Sequence, residues 1–226
     1  MATADLPRDA TLADLLDRIG DVPPARIRLD PPPGRATERD LIRLQGRTDR
    51  LYELVEGVLV EKTMGMQESF LGAEVIYFLR SHLREHDIGM VLGADGTVRL
   101  MPGLVRIPDV CFTSWDRLPS REVPRKPISD LVPDLAVEVL SPSNTRKEMA
   151  LKLKEYFLAG VRLVWYVDPD QRSVTVFTAP DQSVALTEDQ PLVGGAVLPG
   201  FVLPLRELFA KVPRLPAPAK GRRKSS

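Results

Sequence analysis

Asp109 and Glu138 sit in surroundings that call for an explanation. Asp109 follows Pro108 and leads into the apolar run Val110, Cys111, Phe112. Glu138 interrupts the apolar residues of PDLAVEVLSPSNT, residues 133–145. An ionised carboxylate in an apolar strand is costly unless it is paired, hydrogen-bonded or bound to a metal. If the two strands lie in one sheet and the side chains share a face, they form a paired-carboxylate site. Such hard oxygen donors suit Mg2+ or Mn2+, which take one or two carboxylates together with water and substrate phosphates. The plainer reading is a turn cap for Asp109 and an arginine partner for Glu138, since buried ion pairs also occur.

Other residues offer less. His82 and His86 have the i, i+4 spacing of a zinc pair, but no glutamate or cysteine pattern surrounds them, so a solvated helix face is expected. Trp165 and Tyr166 lie within VRLVWYV and read as sheet core rather than a base-stacking pair. Cys111, the single cysteine, reads as a small buried hydrophobe and implies no oxidising compartment. There is no glycine-rich phosphate loop, and no Ser-His-Asp or Cys-His set can be assembled.

The elements that must position the acids can be read from periodicity. Residues 52–60 alternate loosely around Gly57, as a bent strand pair would, and residues 68–86 carry apolar residues at helical spacing. Residues 89–100 alternate around Asp95 and Gly96, a two-residue hairpin signal. Short core strands are expected over 107–112 and 134–140. Thr145 and Glu148 fit a capping box for a helix that Gly160 stops. A strand over 161–167 and a return strand over 173–178 follow. The order predicts an α/β (α+β mixed) fold: a mixed sheet flanked by helices, with extra hairpins.

Composition sets the frame. The chain has 226 residues, 43% of them hydrophobic, and 31 basic against 31 acidic residues. A polyanion must therefore be met by a local basic surface, because no net field attracts it. No signal-peptide pattern and no long apolar run is present, so a soluble cytoplasmic protein with no membrane segment is expected. Residues 1–39 read as a proline-rich, poorly packed extension with a short helix near Leu12, Leu15 and Leu16. Residues 40–211 form the folded unit. Residues 212–226 form a basic tail expected to be disordered.

PDV at 108–110, PDLAVEVLSPSNT at 133–145 and KLKEYFLAGVRLVWYVDP at 152–169 resemble the Uma2 family, as do YELVEG at 52–57 and GGAVLPGFVLPLRELF at 194–209. That family comprises restriction-endonuclease-like proteins with the PD-(D/E)XK nuclease fold. The resemblance implies a Mg2+- or Mn2+-dependent endonuclease acting on DNA, and allows a homodimer. It places the metal on Asp109, Glu138 and the backbone carbonyl of Val139. The parent motif has a lysine two residues after the glutamate, where this chain has Leu140. The resemblance moves the catalytic lysine to the following helix, at Lys152 with Tyr156 one turn on, and Lys154 is a weaker candidate. Glu56 resembles an acid supplied by an early element, with Glu53 a weaker choice for the same place. Gln67, Glu68 and Ser69 stand where many relatives carry a histidine. With the strand lysine and this histidine both missing, a decayed nuclease-fold module that binds nucleic acid or a protein partner is the alternative expectation.

Overall fold

A computed structural model describes residues 9–63, 65–123 and 125–212. The chain begins with α1 (Leu12–Arg18), α2 (Glu38–Gln45), β1 (Tyr52–Val55), β2 (Val58–Glu61) and α3 (Met66–Glu85). Next come β3 (Gly89–Leu92), β4 (Val98–Met101), β5 (Leu104–Arg106), β6 (Val110–Ser114) and β7 (Leu135–Val139). Then follow α4 (Arg146–Ala159), β8 (Leu163–Asp168), β9 (Ser173–Ala179) and β10 (Gln182–Thr187). The last elements are β11 (Pro191–Val193), β12 (Val202–Pro204) and α5 (Leu205–Phe209). The fold is mixed α/β, as the order of patterns predicts.

Two sheets carry the site. The larger has the order β10-β9-β8-β7-β6-β3, and only β7 and β8 run parallel. A parallel pair needs a crossover, and α4 supplies it. The smaller sheet has the order β2-β1-β5-β4. Alternation along β7 divides its side chains between two cores. Leu135, Val137 and Val139 face α3 and α5, whereas Ala136 and Leu140 face Met149, Leu153 and Tyr156 of α4. Trp165 and Tyr166 divide the same way, both buried, so they are sheet core.

α4 begins and ends on the residues its pattern marks. Thr145 accepts the backbone N–H of Glu148 at 3.0 Å, and Gly160 closes the helix at φ 95°, where a side chain would be strained. The Glu148 side chain does not complete the capping box. It is fully buried and accepts both Arg26 guanidinium nitrogens, at 2.9 and 3.0 Å.

That contact corrects the expectation of a poorly packed N-terminal extension. Ile19, Val22 and Arg26 are buried against the folded unit, and Thr145 donates its hydroxyl to the Gly20 carbonyl at 2.6 Å. The hairpin expected around Asp95 and Gly96 is also corrected. β3 pairs with β6 in the larger sheet and β4 with β5 in the smaller, so this turn passes the chain between sheets. The basic tail lies, from residue 213 on, outside the described residues. Among the described residues no helix is long and apolar enough to cross a membrane.

Candidate active site at the junction of the two sheets

The junction between the sheets is the short link from β5 to β6. It runs Arg106, Ile107, Pro108, Asp109, leaving one sheet and entering the other. Proline has no N–H to give a ladder, which suits a point where pairing changes partner. Register then brings charged residues together from both sides. Val110 pairs with Val137 in the antiparallel β6–β7 ladder, so continuing that register sets Asp109 opposite Glu138 on the α4 face. Leu54 pairs with Val105, so one step on sets Glu53 opposite Arg106. Like charges directly across a ladder repel, so the Asp109 and Glu138 pair needs cations nearby.

Two cations, Lys152 from α4 and Lys62, reach that pair, and a third, Arg106, serves the neighbouring acids. Lys152 is buried, with its ammonium 3.1 Å from Glu53 Oε1 and 3.2 Å from Glu138 Oε1. One turn later Tyr156 donates its hydroxyl to Glu138 Oε1 at 2.5 Å. Arg106 donates to Glu53 Oε2 at 2.8 Å and to Glu155 Oε2 at 2.8 Å. Lys62, just past the end of β2, lies 2.8 Å from Asp109 Oδ1 and 4.0 Å from Glu138 Oε2, and its ammonium also donates to the Ile107 carbonyl. Asp109 is oriented from its other oxygen, Oδ2, by the Val139 backbone N–H at 2.7 Å.

Electrostatics follow from this packing. Burial alone would raise the Glu53 carboxyl, but Lys152, Arg106 and Lys62 override it and hold it far below the carboxylate range. Burial pushes the Glu138 carboxyl up, against the pull of Lys152 and Lys62, with Asp109 adding to the rise. Burial opposes the Lys152 ammonium, yet Glu138 and Glu53 hold it above the ordinary lysine value, so it stays charged. Tyr156 stays a phenol, since burial and then Glu138 both raise it. Glu138 is thus an acid that further positive charge would favour.

The donor set fits a hard divalent cation. Asp109 Oδ1 and Glu138 Oε2 turn toward one common cation, the Lys62 ammonium, so a single positive position serves both carboxylates. Among the described residues no group of three or more His, Cys, Asp or Glu side chains is gathered for a metal. A bound ion would therefore draw further donors from backbone, water or substrate, which Mg2+ tolerates well.

The residues singled out from sequence are placed as follows. Asp109, Glu138 and Lys152 converge. Lys154 is exposed on the outer side of α4, which leaves the inward role to Lys152. Glu56 does not join them. It forms the β1–β2 turn with Gly57, both at positive φ (50° and 70°), and pairs with Arg18. Glu53, three residues before Glu56 and inside β1, occupies the acidic site instead. Leu140 packs against the apolar stripe of α4 rather than filling the acid cluster. His82 and His86 stack at 4.3 Å, with His82 edge-on to Phe201.

Arg106 and Lys62 escaped the sequence reading. Arg106 had a signal: an arginine inside the apolar run of GLVRIPD repeats the anomaly of Glu138. Lys62 had none, because a lysine after the last residue of a strand looks like any surface lysine.

Comparison with known proteins bears on the family and the fold. A family model described as "Uma2: Putative restriction endonuclease" matches residues 39–206. A solved structure described as a "putative nuclease belonging to DUF820 from Anabaena variabilis ATCC 29413" aligns with a TM-score of 0.63 at 20% identity. The alignment covers 72% of this chain and 92% of that one, and at this identity it shows the fold. No curated protein matches the sequence.

Proposed function

The chain belongs to the Uma2 family of restriction-endonuclease-like proteins, and from that premise we propose that it is a cytoplasmic, metal-dependent endonuclease hydrolysing DNA phosphodiesters at the sheet junction. One observation carries the reading: the carboxylates of Asp109, just before β6, and Glu138, in β7, share a cation position, with a charged buried lysine beside them. Asp109, Glu138 and the Val139 carbonyl would hold Mg2+ or Mn2+. When bound, such an ion polarises the scissile phosphate and lowers the pKa of a water.

The chain's own groups have definable parts. The Val139 N–H fixes Asp109 through Oδ2, and Tyr156 fixes Glu138 through Oε1, so each acid presents its remaining oxygen toward the other. Glu53 and Glu138 hold the Lys152 ammonium in its charged state at the edge of this position. There it would stabilise charge gathering on the phosphorus oxygens or orient the attacking water. Tyr156 and Lys152 are both held protonated, so neither serves as the base that takes the proton of the attacking water.

A basic surface that could receive the polyanion supports the substrate. Arg28, Arg43, Arg47 and Arg50 line a cavity of about 510 Å³ beside Tyr52 at the open end of the β1–β2 hairpin. Arg50 is anchored there by Glu61, the residue before Lys62. Arg43 is paired with Asp40 and Asp30 also lines the cavity, so Arg28 and Arg47 carry its surplus; in the β6–β7 loop Arg121 is paired with Asp87 and Lys126 with Asp130.

A module that binds nucleic acid without cutting it is favoured by a separate observation: Lys62 and Lys152 already neutralise both carboxylates. A plasmid-nicking assay with Mg2+ or Mn2+, against a chelator control, separates the two. Metal-dependent conversion of supercoiled to nicked or linear DNA supports the enzyme. Retention of DNA with no conversion supports the module.

A further inference from the structure

We infer that Lys62 is a built-in cation at the divalent-metal position, so that metal and the Lys62 ammonium exclude one another there. The inference rests on the metal-dependent reading above and concerns how that site is regulated.

Asp109 and Glu138 bring four carboxylate oxygens to the site. Asp109 Oδ2 accepts the Val139 N–H at 2.7 Å. Glu138 Oε1 accepts Tyr156 at 2.5 Å and Lys152 at 3.2 Å, and Lys152 also reaches Oε2 at 3.4 Å. The oxygens with most room to face a metal are Asp109 Oδ1 and Glu138 Oε2, the second already touched by Lys152 at the longer distance. Lys62 stands at this pair, 2.8 Å from the first and 4.0 Å from the second. Its third contact is another hard oxygen, the Ile107 carbonyl. Its side chain is 5% exposed, so the ammonium is committed to the site rather than to solvent.

A Mg2+ ion takes oxygen ligands at about 2.1 Å. An ion so bound to Asp109 Oδ1 would stand against an ammonium already at hydrogen-bond distance from the same atom. A divalent ion facing both oxygens would stand where the Lys62 ammonium now stands, and two cations at that separation repel, so one must move away. Lys62 is the group that can. It follows β2 rather than lying inside an element, and its ammonium rides on a flexible four-carbon stem. Lys152 cannot leave as readily, because it sits within α4 and holds Glu53 as a second acceptor. Lys62, together with Lys152, therefore keeps the two acids neutralised when metal is scarce, and it does so at the expense of metal affinity.

The test reads metal binding and not cleavage. Mn2+ affinity of the full chain is measured by electron paramagnetic resonance of the free ion, for wild type, Lys62→Met and Lys152→Met. Lys62→Met should bind Mn2+ at least about tenfold tighter than wild type, the equivalent of one charge-assisted hydrogen bond released. Its gain should exceed that of Lys152→Met. A folded Lys62→Met with unchanged, weaker or no Mn2+ binding overturns the inference. So does an equal gain in both variants, which would report buried positive charge in general. If Lys62→Met does not fold, wild type carries the test: the Lys62 ammonium 15N resonance must shift with the midpoint of Mg2+ uptake. Mg2+ uptake that leaves this resonance unmoved overturns the inference. Tighter Mn2+ binding by Lys62→Met in a protein that never cuts DNA would uphold the role of Lys62 while sinking the nuclease reading.

Discussion

Lys152 joins Glu53 to Glu138 through one ammonium, so its removal has two consequences. Lys152→Gln should lose about 10²-fold or more in turnover, the usual scale for a group that stabilises transition-state charge. It should also lose about 3–5 kcal/mol of stability, because two buried acids lose a partner. Kinetics measured well below the lowered melting temperature, beside chemical denaturation, separate the two effects. Lys154→Ala should change neither, since that side chain faces solvent. Sequence made Asp109 and Glu138 legible because a charge in an apolar strand is an anomaly. It made Lys152 legible only through family resemblance, since a helical lysine is ordinary. The choice between Glu53 and Glu56 was not legible. It depended on a turn with two positive-φ residues, whose glutamate pairs with Arg18 instead of the cluster.

α4 is the element that makes the site, and the N-terminal segment holds α4 in place. Arg26 and Glu148 form a buried ion pair at the start of the helix, 7% and 0% exposed. Arg26→Ala should cost about 3–5 kcal/mol, because it leaves a buried carboxylate without its cation; urea denaturation measures this. Glu148→Gln, which keeps the shape, should cost less. Helix limits were legible from Thr145 and Gly160, but the partner of Glu148 was not, since it lies 122 residues away in a segment whose prolines suggest loose chain. The hairpin misreading around Gly96 has a similar cause: local alternation cannot say which sheet each strand joins. Asp134, at the head of β7, fixes the other end. Burial would raise its carboxyl, but the Ser114 N–H and Arg117 hold it below the ordinary aspartate value. A depressed carboxyl adds stability above about pH 4, the unfolded value, and loses it as pH falls toward the folded value. Asp134→Asn should flatten this acid limb of the stability curve, measured by thermal melts between pH 2 and pH 6.

The whole molecule has no net charge, so affinity for DNA must come from local clusters such as the arginine-lined cavity and the basic C-terminal segment. Deleting residues 212–226 removes Arg214, Lys220, Arg222, Arg223 and Lys224. Each phosphate contact contributes about 0.9 to the log–log salt slope on duplex DNA. The deletion should therefore weaken binding across all sequences and flatten that slope by a few units at most, without altering sequence preference. Fluorescence anisotropy over a salt series reads this, and unchanged low-salt affinity would assign the phosphate contacts to the cavity. The larger claim is that the sheet junction is a hydrolytic centre rather than a structural charge cluster. Single-turnover cleavage of plasmid DNA by wild type and by Glu138→Gln, with Mn2+ and at matched fold and DNA affinity, tests it most directly. Glu138→Gln keeps the volume of the side chain and removes its charge. The arrangement of Asp109, Glu138 and Lys152 predicts metal-dependent cutting by wild type and a loss of about 10²-fold or more in the variant. Equal cutting by both proteins, or none by wild type with any divalent ion, would contradict it.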